Sequence, residues 1–376
     1  PMEYIVDDKK LKIYPFSNLV DDLFKSYKDE ALSTRLSMLK DFVIKRHSGS
    51  LKEYFRSAKV ELNPKYTIEL KCESNIGEIK TFVKGLNGPY IPGSTIKGAL
   101  RTVFLCGLLC RNNEIKRDLF KALNQFVIDT EKARKIDKKD DRSKALKSAA
   151  DRLNESLKEI ENKVFRSTQS DALYDVFKSI IISDSDPIDY SNLYVDKVKV
   201  INSSRNIEIA CELLKPNTRV PLKAYIDSKV NLEALKRLSE LTGNKLPYDK
   251  IDWAFIKNKA IEFYERILRI DMDFVERNVN ISSRDTILRK LQNIANSIDK
   301  IKNSSKILIP LRLGQHKGFL SNTVMQIVYT EDKALFDKTF KASVANPRSN
   351  TLKTRRITEN ESYTLGWVFL RIDHAN

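Results

Sequence analysis

The stretch Gly88-Pro89-Tyr90-Ile91-Pro92-Gly93-Ser94-Thr95-Ile96-Lys97-Gly98-Ala99-Leu100-Arg101-Thr102 governs how the rest of the chain is read. Two prolines and two glycines within six residues make a rigid, sharply turned entry, because Pro fixes φ and Gly admits φ > 0. Ser94 or Thr95 then stands where a helix N-cap is wanted, its hydroxyl able to accept a free backbone N–H. Beyond it Ile96, Ala99, Leu100, Val103, Phe104, Gly107 and Leu108 recur at helical spacing, which predicts a helix laid on a core. Lys97 and Arg101 fall one turn apart on the other face. There they repel each other mildly, and Lys97, near the N-terminus, opposes the helix dipole. An anion at that point would resolve both conflicts. Gly93, Ser94, Thr95, Lys97 and Arg101 are therefore candidate phosphate contacts of the helix N-terminus kind. The same residues also describe a buried helix with two ordinary surface cations. An ATPase loop of the form G-x-x-x-x-G-K-[ST] is not met, since Lys97 is followed by Gly98 and Ala99.

A chain of 376 residues can bury a large core and implies two domains or one elaborated domain. Its 67 basic and 50 acidic residues leave a formal charge of +17, and such a surface attracts a polyanion, nucleic acid or an anionic membrane. No apolar run reaches the ~18 residues that a membrane span needs. The start, Pro1-Met2-Glu3-Tyr4, leads into charged residues rather than a signal peptide, and the missing initiator methionine implies residues upstream. Cys72, Cys106, Cys110 and Cys211 form no C-x-x-C pair and read as small core residues of a reducing cytoplasm. With only His47, His316 and His374 available, there is little material for a metal site, and none is assigned.

In order, Glu3 to Tyr14 reads as strand–turn–strand, followed by helices over Ser17–Tyr27 and Ala31–Lys45. Tyr66–Leu70 alternates as a strand should, with Ile79–Val83 as its expected partner. From Arg111 to about Phe165 the chain is charged and helical in pattern, an insertion of about 111–166. Within it, Glu131–Lys147 is balanced in sign and poor in large apolar residues, the mark of a solvated helix or a mobile insertion, with RNA contact as the alternative. Asp184, Asp186 and Asp189 lie in an acidic turn, since Asp and Ser bond their own backbone; as metal ligands they are the weaker reading. Strands follow at Leu193–Val200, Ile207–Leu214 and Arg219–Ile226, then helices at Asn231–Leu241, Trp253–Arg269 and Ser283–Ile301. Lys306–Leu313 is a buried strand that runs into Gly314-Gln315-His316-Lys317-Gly318. A glycine turn at a strand end carrying His and Lys suits a phosphate backbone, although alone it is equally an ordinary turn. Pro347–Arg356 is a polar, basic segment with Arg348, Lys353, Arg355 and Arg356, and Tyr363–Ile372 closes as a strand. The domain division this suggests is 1–228 and 229–376.

The segment Pro89–Thr102, "PYIPGSTIKGALRT", resembles the glycine-rich signature of the RAMP proteins of CRISPR effector complexes, in the form found in the fifth Csm subunit of type III-A. Ile182-Ser183-Asp184-Ser185 resembles that subunit's "V-S-D-S" segment, Leu313–Gly318 its late glycine loop, and Leu365-Gly366-Trp367-Val368 its closing strand. The resemblance implies an α+β fold: a ferredoxin-like, RRM-related core with large helical insertions and a smaller helical and strand C-terminal portion. An extra opening strand and a glycine turn after a histidine, usual in the family, have no counterpart here. The implied role is a cytoplasmic, non-catalytic crRNA-binding subunit that caps the crRNA 3′-end side of the Csm filament. It would support crRNA maturation and assembly beside the backbone subunits, with a host trimming nuclease as a further partner, no membrane and no cofactor. RNA contacts would come from Gly93, Ser94, Thr95, Lys97, Arg101, Gly314, Gln315, His316, Lys317 and Gly318. The alternative is a metal-independent ribonuclease that processes crRNA, for which His47 and His316 are the available acid–base groups. A small-molecule enzyme would need a dinucleotide or P-loop fingerprint, and neither is present.

Overall fold

The computed structural model describes residues 2–45, 63–72, 76, 78–165, 175–201, 207–241, 251–279, 281–343, 355–358 and 364–373. In chain order the elements begin with β1 (Met2–Asp7), β2 (Lys10–Pro15), α1 (Phe16–Ser26), α2 (Leu32–Lys45), β3 (Tyr66–Leu70), β4 (Ile79–Lys80), β5 (Lys84–Gly85) and β6 (Gly88–Pro89). They continue with α3 (Gly93–Leu109), α4 (Asn113–Arg134), α5 (Lys139–Phe165), β7 (Ile180–Ile182), β8 (Leu193–Ile201), β9 (Glu208–Leu214), β10 (Ala224–Ile226) and α6 (Ser228–Leu241). Last come α7 (Trp253–Asn278), α8 (Ile281–Lys302), β11 (Ile307–Arg312), α9 (Met325–Glu331), α10 (Lys333–Ser343), β12 (Arg355–Thr358) and β13 (Trp367–Ile372).

Packing divides the chain into two units that are not contiguous in sequence. One comprises Pro1–Tyr90, Asp186–Val198 and Glu208–Val220; the other comprises Ile91–Ser185, Lys199–Ile207 and Pro221–Asn376. Two later segments belong to the first unit although they are distant in sequence.

The first unit is a mixed sheet with strand order β1-β2-β3-β8-β9-β4. β1 and β2 form an antiparallel hairpin turned through Asp8, whose φ of 56° lies in the left-handed region that Asp tolerates. β3 is antiparallel to β2 and parallel to β8. Its period-two pattern places Tyr66, Ile68 and Leu70 inward with Leu11, Ile13, Leu193 and Val195. The 79–83 segment does not pair with β3 as expected. Ile79 and Lys80 run parallel to Ala210 and Cys211 of β9 instead, and the next turn is held there by Phe82 N–H, which donates to Glu212 at 2.7 Å. Glu212 is buried and also accepts from the Tyr66 hydroxyl at 2.9 Å and from Lys84 Nζ. Tyr66 in turn stacks on Tyr190, with ring centroids 4.1 Å apart. Burial and the neighbouring carboxylate push the Tyr66 phenol well above its ordinary range, so it stays a protonated donor.

In the second unit α3 lies in the core, with Ile96, Ala99, Leu100, Val103, Phe104 and Leu108 buried as the periodicity requires. Phe104 meets Phe165, Phe177 and Phe255 at 5.3–5.6 Å between centroids. α4 and α5 form an antiparallel helical hairpin, since Asp129 pairs with Arg152 and Asp118 with Lys163. The balanced run 131–147 is the tip of that hairpin, helical and largely solvated. Asn112 caps α4 by accepting from the N–H groups of Glu114 and Ile115. α7 runs to Asn278, nine residues past the expected end, burying Ile270, Phe274 and Val275. Lys257 on it is buried, its ammonium donating to the carbonyls of Ser304 and Lys306. β7 pairs antiparallel with β10, and β11 with β13. The strand expected over 219–226 is confined to 224–226, after Pro216 and Pro221. Helix and sheet are thus mixed as expected, but the first unit's sheet has six strands in this path, more than a simple four-stranded ferredoxin-like layer.

Glu212→Ala should destabilise the protein by about 3–5 kcal/mol, because it strands a nearly buried ammonium and two further donors. Denaturant unfolding checks this, and a midpoint unchanged from the parent would show that the three donors find other partners.

Candidate nucleic-acid interface

The glycine signature is organised by the acidic turn, not by its own hydroxyls. Pro92 is the N-cap of α3, with φ −63° and no side-chain cap bond, so Ser94 and Thr95 stand inside the first turn rather than at the cap. The cap comes from 91 residues away: Asp184 Oδ1 accepts the Gly93 N–H at 2.8 Å. Beside it Ser185 N–H donates to the Ile91 carbonyl at 3.0 Å, and Ser185 Oγ accepts the Ile91 N–H at 2.9 Å. A side chain at position 93 would overlap the carbonyl oxygens of Ile182 and Ser183, so only glycine permits this approach. The anion expected at this helix start is therefore already present as the chain's own carboxylate. Asp189 accepts from the Ser191 N–H, as a turn residue does. No group of three or more His, Cys, Asp or Glu side chains among the described residues could hold a metal ion.

Lys97 and Arg101 have different environments. The Arg101 guanidinium bonds Glu161 at 2.8 Å and Asp175 at 2.9–3.0 Å, and it lies 3.8 Å over the Phe165 ring. It ties α3 to the end of α5 and to the turn after residue 175. Lys97 is half-buried and makes no ion pair within 4 Å among the described residues; burial holds its ammonium below the usual lysine range, with Asp175 opposing that shift and Arg101 adding to it.

The late glycine loop repeats this contrast. Gly314 and Gly318 have φ of 90° and 89°, which only glycine adopts readily, and they bracket Gln315, His316 and Lys317. The preceding strand directs Arg312 inward. There it bonds Asp271 at 2.8 Å, Ser321 at 2.9 Å and the Leu365 carbonyl at 2.9 Å. Arg355 takes the other oxygen of Asp271 at 2.7 Å and stacks over Phe274. His316 is buried with Nδ1 3.0 Å from Arg356 Nη1, which as a donor requires a neutral imidazole there. Burial, and then Arg356, lower the His316 pKa. Lys317 is half-buried, lowered first by burial and then by Arg312. Its Nζ reaches the Asn322 amide oxygen at 2.6 Å when that amide is turned to suit both neighbours. Gln315 and both loop glycines are exposed. Asp271, Arg312 and Arg355 were not among the candidates from the sequence, although an arginine within the apolar run Ile307–Leu313 was a visible signal of a buried ion pair. His47 and His374 lie outside the described residues.

A family model described as the RAMP superfamily matches residues 67–315, about two thirds of the chain. The chain belongs to the RAMP superfamily. Among curated proteins none matches. Two solved structures are similar to this RAMP protein in fold. A chain of a Csm–crRNA–target RNA ternary complex of a type III-A CRISPR-Cas system superposes with a TM-score of 0.65 at 20% identity, over 98% of this chain and 94% of that one. Csm5 of T. onnurineus superposes with a TM-score of 0.58 at 20% identity and the same two coverages. The RAMP match spans the signature, the acidic turn that caps it and the start of the late loop. No single helix among the described residues is long and apolar enough to cross a membrane.

Separate alanine variants should divide the two cations of α3. Arg101→Ala should lower stability by about 2 kcal/mol through lost charged hydrogen bonds, whereas Lys97→Ala should leave the melting temperature unchanged or higher. The reverse order would mean that Arg101 is the replaceable side chain. His316 gives a pH signature. Its folded-state pKa lies below the unfolded value of about 6.5, so as pH falls the unfolded chain binds the proton first and stability declines below about pH 6.5. His316→Gln should flatten that part of the profile; an identical acid decline in both proteins would contradict it.

Proposed function

We propose that this RAMP protein is a non-catalytic crRNA-binding subunit of a type III-A CRISPR (Csm) complex. In this reading it caps the crRNA 3′-end side of the filament, beside the backbone subunits, and supports crRNA maturation and assembly in the cytoplasm. The observation that carries it is the pair of lysines, Lys97 and Lys317, one in each glycine segment. Each is half-buried and lowered by burial, and neither forms an ion pair within 4 Å among the described residues, although Asp175, already bonded to Arg101, acts on Lys97 from farther away. A partly desolvated cation with no directly bonded counter-ion is costly in the free protein, and an RNA phosphate would relieve that cost. Lys97 with Ser94 and Thr95, and Gln315 and Lys317 with the two loop glycines, are the proposed backbone contacts; Gly93 and Arg101 act by holding α3 in place. In such a complex base pairing reads sequence and protein holds the backbone.

The ferredoxin-like core belongs to the same reading. It is supported by the parallel pairing of β3 with β8 across a long connection, which a split βαβ arrangement requires. The ribonuclease alternative would place a general base at His316. Its Nδ1 is occupied by Arg356, which favours a role in holding the loop over proton transfer.

Affinity for single-stranded RNA should fall steeply with salt and vary little with sequence. Each phosphate neutralised adds about −0.7 to the log–log slope. Binding that ignores salt between low and high concentration would contradict the proposal.

A further inference from the structure

The two-stranded sheet of β7 and β10 presents an exposed apolar pair. In the antiparallel register Tyr225 stands directly opposite Ile181, while Ile180 faces the core. Tyr225 is 54% exposed and Ile181 37% exposed, so a phenol ring and an aliphatic side chain lie side by side in solvent. Their backbone is anchored at both ends. Ser183 N–H donates to the Lys223 carbonyl at 2.9 Å, Ser183 Oγ accepts the Lys223 N–H at 2.9 Å, and Asp227 N–H donates to the Ser179 carbonyl at 2.8 Å. The next strand residue, Ile182, supplies one of the carbonyls that seat Gly93, so this face continues the glycine signature.

The charges around the pair fit an anionic ligand. Lys178 precedes β7 and Lys223 precedes β10; both are exposed, and neither has a carboxylate partner among the described residues. The two nearest carboxylates in sequence accept backbone N–H groups, Asp184 from Gly93 and Asp227 from Val230 at the start of α6. An exposed aromatic ring on a rigid strand, flanked by lysines, is the arrangement by which proteins stack an unpaired base while gripping its backbone. One exposed ring and one aliphatic side chain form a patch far smaller than the ~800 Å² per partner of a stable protein interface.

We propose that Tyr225 and Ile181 form a stacking platform for one unpaired base of single-stranded RNA, with Lys178 and Lys223 holding the adjoining phosphates. This rests on the RNA-binding reading above and adds a specific contact to it. Because Tyr225 is exposed, Tyr225→Ala leaves folding intact, and equal melting temperatures provide the check.

The test is the affinity of the full chain for a short oligouridine, measured for the parent, Tyr225→Ala and Tyr225→Trp across a salt series. Stacking of one base predicts a loss of about 5- to 150-fold for Tyr225→Ala, an unchanged salt slope, and affinity retained by Tyr225→Trp. The same strand made abasic throughout should bind the parent and Tyr225→Ala equally. Tyr225→Ala binding oligouridine as tightly as the parent overturns the platform while leaving the RNA-binding reading standing. A parent that does not bind RNA overturns both. Val230 and Leu232 are also exposed on α6. Unchanged RNA affinity combined with loss of a protein partner in Tyr225→Ala and Leu232→Ser alike would assign the face to protein docking instead.

Discussion

The contact between Gly93 and the segment Ile182–Ser185 underlies the geometry of the second unit's candidate surface. A helix start leaves backbone N–H groups without partners, and here the first of them goes to Asp184. The bond forms only because position 93 has no side chain, which lets α3 approach two backbone carbonyls. Once α3 is seated, Phe104 reaches Phe165 and Phe177, and Arg101 reaches Glu161 and Asp175. The direction of Lys97 follows from the same seating.

The cations of the two glycine segments and their surroundings differ in kind. Arg101, Arg312 and Arg355 are neutralised by carboxylates and stacked on or beside aromatic rings, where the planar guanidinium suits both contacts. They act as ties within the fold. Lys97 and Lys317 make no ion pair within 4 Å among the described residues and lose hydration through partial burial. The arginines fix the frame, and the lysines leave positive charge available at its surface.

Much of the local structure was legible in the sequence. The opening hairpin, β3, α3, the charged helical hairpin and the strand entering the late loop all follow from periodicity and turn residues, because their information lies within a few residues. Features set by partners distant in sequence did not follow. The cap of α3 was assigned to Ser94 or Thr95 because N-caps are usually local, whereas the carboxylate comes from residue 184. The sequence pattern pairs Ile79–Lys80 with the preceding strand, whereas the buried Glu212 draws that segment to β9. Lys97 and Arg101 look alike as cations one turn apart, and only the positions of Glu161 and Asp175 separate their roles. Each miss concerns a partner distant in sequence. In the site itself, the glycines and their spacing were readable, while the Asp271 network behind the late loop was not.

The most direct measurement is cross-link mapping of the intact protein bound to photoreactive single-stranded RNA, with the attached peptides identified by mass spectrometry. The account predicts cross-links in the peptide around Ser94–Lys97 and in the late glycine loop around Gly314–Gly318. RNA cross-linked only to other parts of the chain, with both glycine segments unmodified, would contradict it.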